Sequence, residues 1–232
     1  MQARFEQIKW SILQQIEQGK LTPGDKVASE NSLAEQFGVS RMTARRALSE
    51  LVDQGFLIRS QGLGTFVSDT RPMSSILTIR SIHAEIKERG HEHSSQIIAL
   101  NCIAATPQMS MWMDVLAGSE LYRSQIIHYD NKRAIQFEDR LVNPVYAPDY
   151  LQQDFAQRTP SEYLNVVAPL TEADHIVEAC LPSTDIAQKL DIDEQQAVLK
   201  INRRTYSRAG VVSYALLYHP GNRYRLGGHL NF

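Results

Sequence analysis

Apolar side chains recur at helical intervals from the start of the chain. Phe5, Ile8, Ile12 and Ile16, with Trp10 and Leu13 beside them, form one stripe and predict an amphipathic helix over residues 4–18. Gly19 stops that helix, and Leu21-Thr22-Pro23-Gly24-Asp25 reads as a turn. Ser29 is placed to cap a second helix whose Leu33, Ala34 and Phe37 face inward. Gly38 supplies a left-handed stop, and Val39 fills the corner. Ser40 caps a third helix, with Ala44, Ala47, Leu48, Leu51 and Val52 as its buried side and Gly55 at its end. The period then becomes that of strands. Residues 56–59 and 65–67 read as a hairpin joined by Ser60-Gln61-Gly62-Leu63-Gly64.

Residues 68–75 are polar and include a proline, which reads as a linker. The expected domains are 1–68 and 81–232, with 69–80 between them. Residues 82–89 predict a short helix stopped by Gly90. Strand-like runs follow at 95–100, 120–129, 134–142, 197–207 and 211–219, and residues 185–190 read as a helix. Asp130-Asn131-Lys132-Arg133 is a hairpin turn. The pattern is α+β, with an antiparallel sheet in the second domain.

The length of 232 residues suits two modest domains. No apolar run reaches bilayer length, and Met1–Glu6 lacks the layout of a signal peptide, so a cytoplasmic protein is expected. Cys102 and Cys180 form no Cys-x-x-Cys pair and read as reduced thiols. A net charge of −2 excludes DNA binding by bulk attraction. Residues 1–68 hold 8 Lys and Arg against 7 Asp and Glu, a net of +1. The positive charge is local: Arg41, Arg45 and Arg46 lie within six positions, which suits specific docking.

A helix, a tight turn, an arginine-bearing helix and a hairpin form the order of parts that lays one helix in the major groove of DNA. Arg41 and Arg45 are one turn apart and share a face, with Thr43 beside them. An arginine bridges guanine O6 and N7 with two hydrogen bonds, and a threonine meets a thymine methyl or a phosphate. The hairpin either covers the helices or acts as a wing whose glycines let backbone approach the sugar-phosphate.

Residues 1–68 resemble the winged helix-turn-helix of the GntR family of bacterial transcription regulators. The resemblance lies in Pro23-Gly24-Asp25-Lys26, Ser29-Glu30-Asn31, the run from Leu33 to Leu48 and Gly62-Leu63-Gly64-Thr65-Phe66-Val67. Ala28 departs from the family's proline, which should loosen the helix start slightly. The resemblance implies DNA contacts at Glu30, Asn31, Ser40, Arg41, Thr43, Arg45, Gln61 and Gly62. Glu30 also has a sufficient structural role in the first turn of a helix. Arg46 lies on another face and reads as a phosphate contact or an ion-pair partner.

From about Ser81 onward the chain resembles the UTRA ligand-sensing domain of the family's HutC branch, which has a chorismate-lyase-like fold. The motifs are Leu121-Tyr122-Arg123, Phe137-Glu138-Asp139-Arg140, Ser161-Glu162-Tyr163 and Pro220-Gly221-Asn222-Arg223-Tyr224-Arg225. The closing text, residues 218–229, is similar to that of branch members that repress histidine-utilisation genes and respond to urocanate. The resemblance implies effector contacts at Ser81, His83, His128, Glu138, Ser161, Tyr163 and Tyr214. A carboxylate suits the start of the 82–89 helix, and an imidazole suits an acidic acceptor with an aromatic wall. Ile126 and His128 stand where phosphosugar-sensing relatives carry arginines, which argues against a doubly charged phosphate. Glu138 also reads as one end of a surface ion pair, and Tyr163 and Tyr214 as core aromatics.

The histidines show no metal-ligand spacing, and no nucleophile–base pair or cofactor loop stands out, so neither a metal, a cofactor nor an enzyme is expected. The expectation is a homodimeric repressor on a roughly palindromic operator, released by urocanate. The alternatives are the same repressor answering an amino acid, a sugar derivative or another imidazole compound, or an architectural protein with no effector.

Overall fold

The computed structural model describes residues 4–69, 73–75 and 80–227, and the chain divides into two compact units, Met1–Arg71 and Pro72–Phe232.

The first unit holds α1 (Arg4–Glu17), α2 (Glu30–Phe37), α3 (Arg41–Asp53), β1 (Leu57–Ser60) and β2 (Gly64–Val67). Its core is Ile8 and Ile12 of α1, Leu33 of α2, Ala44, Ala47, Leu48 and Leu51 of α3, with Val27, Leu57 and Val67. The helical stripes therefore meet as their spacing predicts. Trp10 does not join them: it is 60 % exposed. The Ser29 hydroxyl accepts from the Ser32 N–H at the start of α2, and the Ser40 hydroxyl accepts from the Thr43 N–H at the start of α3. Gly38 adopts φ 60°, a conformation costly for a residue with a Cβ, and its N–H bonds back to the Ala34 and Glu35 carbonyls. That turn swings α3 away from α2. The β1–β2 hairpin pairs Leu57 with Val67 and Ser60 with Gly64.

The second unit adds β3 (Met73–Ser75), α4 (Ile82–Glu88), β4 (His93–Ala104), α5 (Pro107–Met113), β5 (Glu120–Asp130), β6 (Arg133–Val142), α6 (Pro160–Val167), β7 (Glu172–Cys180), α7 (Thr184–Leu190), β8 (Val198–Ser207), β9 (Gly210–Pro220) and β10 (Arg225–Gly227). Six strands form one antiparallel sheet in the order β4-β5-β6-β9-β8-β7. The turn between β5 and β6 places Asn131 and Lys132 at φ 47° and 69°, as a two-residue hairpin turn requires.

Three differences from the sequence pattern have physical reasons. Strand β7 lies at the sheet edge with both faces largely exposed, so it carries no alternation to read. Helices α5 and α6 have seven and eight residues, about two turns each, too short for a stripe. Part of the segment read as linker is strand β3, which pairs parallel to β10. Residues 70–72 and 76–79 of that segment lie outside the described residues.

Residues paired across antiparallel strands share a face. Ile126, Glu138, Leu217 and Ile201 therefore line one side of the sheet. On that side α6 packs Tyr163 and Leu164 against Tyr150, Phe155 and Ile126. Helix α4 packs Ile82 and Ile86 against Ile135 and Tyr224. The opposite face is covered at its ends by α5, through Met113 and Trp112, and by α7, through Leu190.

The first face is unusually polar for a core. His128, Ser124, Glu138, Arg140, Thr205, Ser213 and His219 are all at most 3 % exposed. Burial pushes the His128 imidazole down to about 4 and the His219 imidazole down to about 3. Both values lie below the unfolded value of about 6.5, so the fold favours the neutral rings. Their contribution is complete above pH 6.5 and is lost as pH falls toward 4, because the unfolded chain then binds protons that the folded one refuses. Each ring should lower stability by about 1.4 kcal/mol per pH unit within that window. Thermal melts across pH 7 to 4 check this: a steep loss is expected, shallower in His219→Phe, and a flat profile from pH 7 to 5 contradicts it.

Candidate nucleic-acid interface and effector cavity

The first two turns of α3 present Arg41, Thr43 and Arg45. The Arg41 and Arg45 side chains are 70 % and 56 % exposed. The Ser40 hydroxyl lies 2.9 Å from the Thr43 hydroxyl, which fixes that side chain beside the arginines. Glu30, at the start of α2, accepts from Arg41 Nε at 3.0 Å. Its other oxygen lies 3.9 Å from Arg45 Nε and 3.8 Å from Arg59 Nη2. Arg59, on β1, also donates to the Ser49 hydroxyl at 3.0 Å. One carboxylate thus gathers three arginines from a helix and a strand into a fan. The sequence reading passed over Arg59; its signal was its place directly before the wing turn.

Asn31, Gln61 and Gly62 are all exposed. Gly62 and Gly64 adopt φ 76° and 121°, and a Cβ on Gly64 would lie 2.8 Å from Lys26 Cε. The wing tip therefore depends on these two glycines. Arg46 is the ion-pair partner of the two readings: its Nε bonds Glu50 at 2.9 Å and its guanidinium lies over the Phe5 ring.

In the second unit a narrow cavity opens on the polar face of the sheet. Arg80, Ile82, Glu85, Gln136, Glu138, Thr159, Ser161, Arg203, Leu217, His219 and Tyr224 line it. The room inside is ≈ 10 Å³, about that of one water. Glu138 is buried and accepts from Arg140 Nε at 2.7 Å and from Gln136 Nε2 at 3.2 Å. The surface-pair reading of Glu138 is therefore wrong. Burial pushes its carboxyl up, but Arg140 outweighs that and holds it below the usual carboxylate range. Arg140 also donates to Ser213 at 2.9 Å and to Ser161 at 3.1 Å. Burial draws the Arg203 guanidinium down to about 10, and its Nε donates to His175.

The seven expected effector residues do not converge on one pocket. Glu138 and Ser161 line the cavity. Ser81 and His83 lie beside it and both contact Glu162: Ser81 donates to Oε1 at 2.9 Å, and His83 Nδ1 is 3.1 Å from the same atom. The Ser81 hydroxyl and the His83 ring, at the start of α4, thus already meet a carboxylate of the protein's own. His128 is wholly buried, with Nε2 3.8 Å from Glu138 Oε2. Tyr163 packs in the aromatic cluster with Tyr150 and Phe155, as a core residue.

Tyr214 is on the other side of the sheet. It pairs with Leu141, one residue along from Arg140, and so faces away from Glu138. There it stacks on Trp112 at 4.6 Å between ring centroids. Arg203, Gln136 and His219 were missed. Gln136, Glu138 and Arg140 were legible as polar residues at every second position of a buried strand. Arg203 was not, since Asn202-Arg203-Arg204 looks uniformly polar. Among the described residues no group of three or more His, Cys, Asp or Glu is placed to hold a metal, and no helix is long and apolar enough to cross a membrane.

Residues 4–67 match the bacterial regulatory proteins of the gntR family, and residues 88–225 match the UTRA domain. The chain is 43 % identical to the histidine utilization repressor of Pseudomonas putida, over 98 % of this chain and 92 % of that protein. It is 42 % identical to the histidine utilization repressor of Klebsiella aerogenes, over 97 % and 93 %. Among solved structures, the C-terminal domain of the histidine utilization repressor from Pseudomonas syringae pv. tomato str. DC3000 matches 61 % of this chain and all of that one, at 42 % identity and a TM-score of 0.59. PhnF from Mycobacterium smegmatis, at 20 % identity, shares the fold over 95 % of this chain and 98 % of that one with a TM-score of 0.68.

Glu30 sets the charge and posture of the arginine fan, which makes a substitution there informative. Glu30→Ala should tighten binding to random DNA, since a carboxylate among phosphate-seeking groups is gone, and should narrow the margin between operator and random sequence. Fluorescence anisotropy on both DNAs at two salt concentrations checks this; an unchanged margin would assign Glu30 to capping alone.

Proposed function

The chain belongs to the GntR family of bacterial regulatory proteins, with a UTRA domain as its second unit, and on that premise we propose that it is a homodimeric repressor of histidine-utilisation genes, released from its operator by urocanate. The family consists of DNA-binding regulators, not enzymes. The observation that carries the proposal is 43 % identity to histidine utilization repressors along nearly the whole chain. It covers the reading helix and the sensor together.

The reader is the N-terminal two turns of α3. Arg41 and Arg45 reach base edges, Thr43 and Ser40 meet backbone or a thymine methyl, and Asn31, Gln61 and Gly62 position the head and wing. One such head offers few contacts, so two copies on two half-sites supply the specificity. The setting is the bacterial cytoplasm, where the operator lies.

Urocanate carries a planar imidazole and a carboxylate. The cavity offers a partner for each end: the Arg203 guanidinium for the carboxylate, and the Glu138 carboxylate for an imidazole N–H. The ionised state of Glu138 suits it to accept that proton donor. The space is closed to about one water, so urocanate must bind a state in which α4, Arg80 or Tyr224 has moved. A ligand shifts the protein only by its differential affinity for two states, and a cavity that is shut in one of them meets that condition.

Arg41→Ala or Arg45→Ala should cost about 1–3 kcal/mol on the operator and little on random DNA, read by anisotropy. Equal loss on both DNAs would reduce these arginines to phosphate contacts. Urocanate should raise the melting temperature and release the protein from operator DNA, and Arg203→Ala should abolish both effects. A melting temperature unmoved by millimolar urocanate, with a response to another histidine-pathway compound, an amino acid or a sugar derivative, would replace it with that effector.

A further inference from the structure

Three imidazoles form a ladder behind the cavity. His83 and His93 lie 5.0 Å apart between ring centroids, and His93 and His128 lie 5.3 Å apart with rings inclined by 27°. His93 Nε2 is 3.1 Å from His128 Nδ1. At the far end, His128 Nε2 is buried and makes no hydrogen bond among the described residues. It points toward Glu138 Oε2, 3.8 Å away. At the near end His83 Nδ1 meets Glu162.

The His128 proton is placed by what faces each ring nitrogen, Glu138 on one side and His93 on the other. A lone pair on Nε2 would face a carboxylate oxygen in a medium that screens it little, whereas an N–H there faces that oxygen favourably. His128 is neutral, because burial keeps its imidazole far below the usual range, and a neutral ring has one N–H. With that proton on Nε2, Nδ1 is an acceptor. The group within reach is His93 Nε2, which must be the donor. His93 is also held neutral, by burial first and then by His83. The charges nearest the ladder are already engaged: Glu162 by Ser81 and Thr159, Asp130 by Arg89 and His91, and Glu138 by Arg140.

We infer that His93 is a positioning residue for effector recognition: its Nε2–H, donated to His128 Nδ1, acts together with Glu138 to hold the His128 proton on Nε2, and that N–H in turn orients the Glu138 carboxylate, ionised by Arg140, for the effector's N–H. This rests on the cavity reading above. His93 does not line the cavity and acts only through His128 and Glu138. It also explains why a buried histidine nitrogen is left without a partner: a shift of Glu138 toward His128 as the cavity opens would complete the hydrogen bond.

The test is nitrogen-15 imidazole spectroscopy of effector-free wild type, His93→Phe and His93→Gln at neutral pH, with calorimetric titration of urocanate into each. Phenylalanine keeps a ring in the ladder and removes the donor; glutamine restores an N–H. In wild type His128 should carry its proton on Nε2. His93→Phe should move a measurable share to Nδ1 and weaken urocanate about tenfold, the size of one buried hydrogen bond, and His93→Gln should restore both. A wild-type proton on Nδ1, or a tautomer indifferent to His93→Phe, overturns the inference. If wild type does not bind urocanate, the effector reading falls and the tautomer alone decides this one. If His93→Phe does not fold, His93→Leu, which also removes the donor, is read in its place against His93→Gln, and a tautomer indifferent to that change overturns the inference.

Discussion

The buried Glu138–Arg140 pair is the interaction around which the sensor unit is arranged. Both side chains are nearly without solvent, and taking two charges out of water costs several kcal/mol each unless every polar atom is met. That demand explains the company they keep. Ser213 from β9 and Ser161 from α6 take the remaining Arg140 nitrogens, and Gln136 takes a second bond to Glu138. The requirement fixes the register of β6 against β9 and the seat of α6 at once. It also leaves a carboxylate that stays ionised in a water-poor place.

The DNA-binding head uses a similar device at the surface, with a different consequence. Glu30 faces three arginines, but those side chains are 40 to 70 % exposed. Ion pairs in such solvent contribute little to stability. What Glu30 supplies is posture: it holds Arg41, Arg45 and Arg59 on one side of the head before DNA arrives, which lowers the ordering cost of binding. The Ser40 and Thr43 hydroxyls do the same for the start of α3. The head thus gathers its arginines on one side, while its net charge stays close to neutral.

The two halves were unequally legible. In the head, caps, turns and apolar stripes are local features. Ser29, Gly38, Ser40 and the inward residues Leu33, Ala44 and Leu48 announce themselves within a few positions of the elements they form. The sensor depends on strands distant in sequence. Its polar face is assembled from β5, β6, β8 and β9, so Arg203 and His219 come near Glu138 only through pairing across some 60 to 80 residues. Edge strand β7 showed no period because neither of its faces is buried.

Tyr214 makes the point most directly. In the sequence it stands with Glu138 and Tyr163 as a pocket residue, yet one step along a strand reverses a side chain, and Tyr214 faces Trp112 on the other side of the sheet. The sequence alone determined the chain's family, the winged head, the exposed arginines at the start of α3 and the presence of an antiparallel second domain, because propensity, capping and motif spacing are properties of neighbours. The tertiary structure decided which polar residues meet: the fan around Glu30, the closed cavity at Glu138, the contacts of Glu162 with Ser81 and His83, and the histidine ladder behind the cavity. The cavity and the ladder are products of strand register and burial, and a one-residue change of register would redistribute them, whereas the Glu30 fan and the Glu162 contacts come from helix packing.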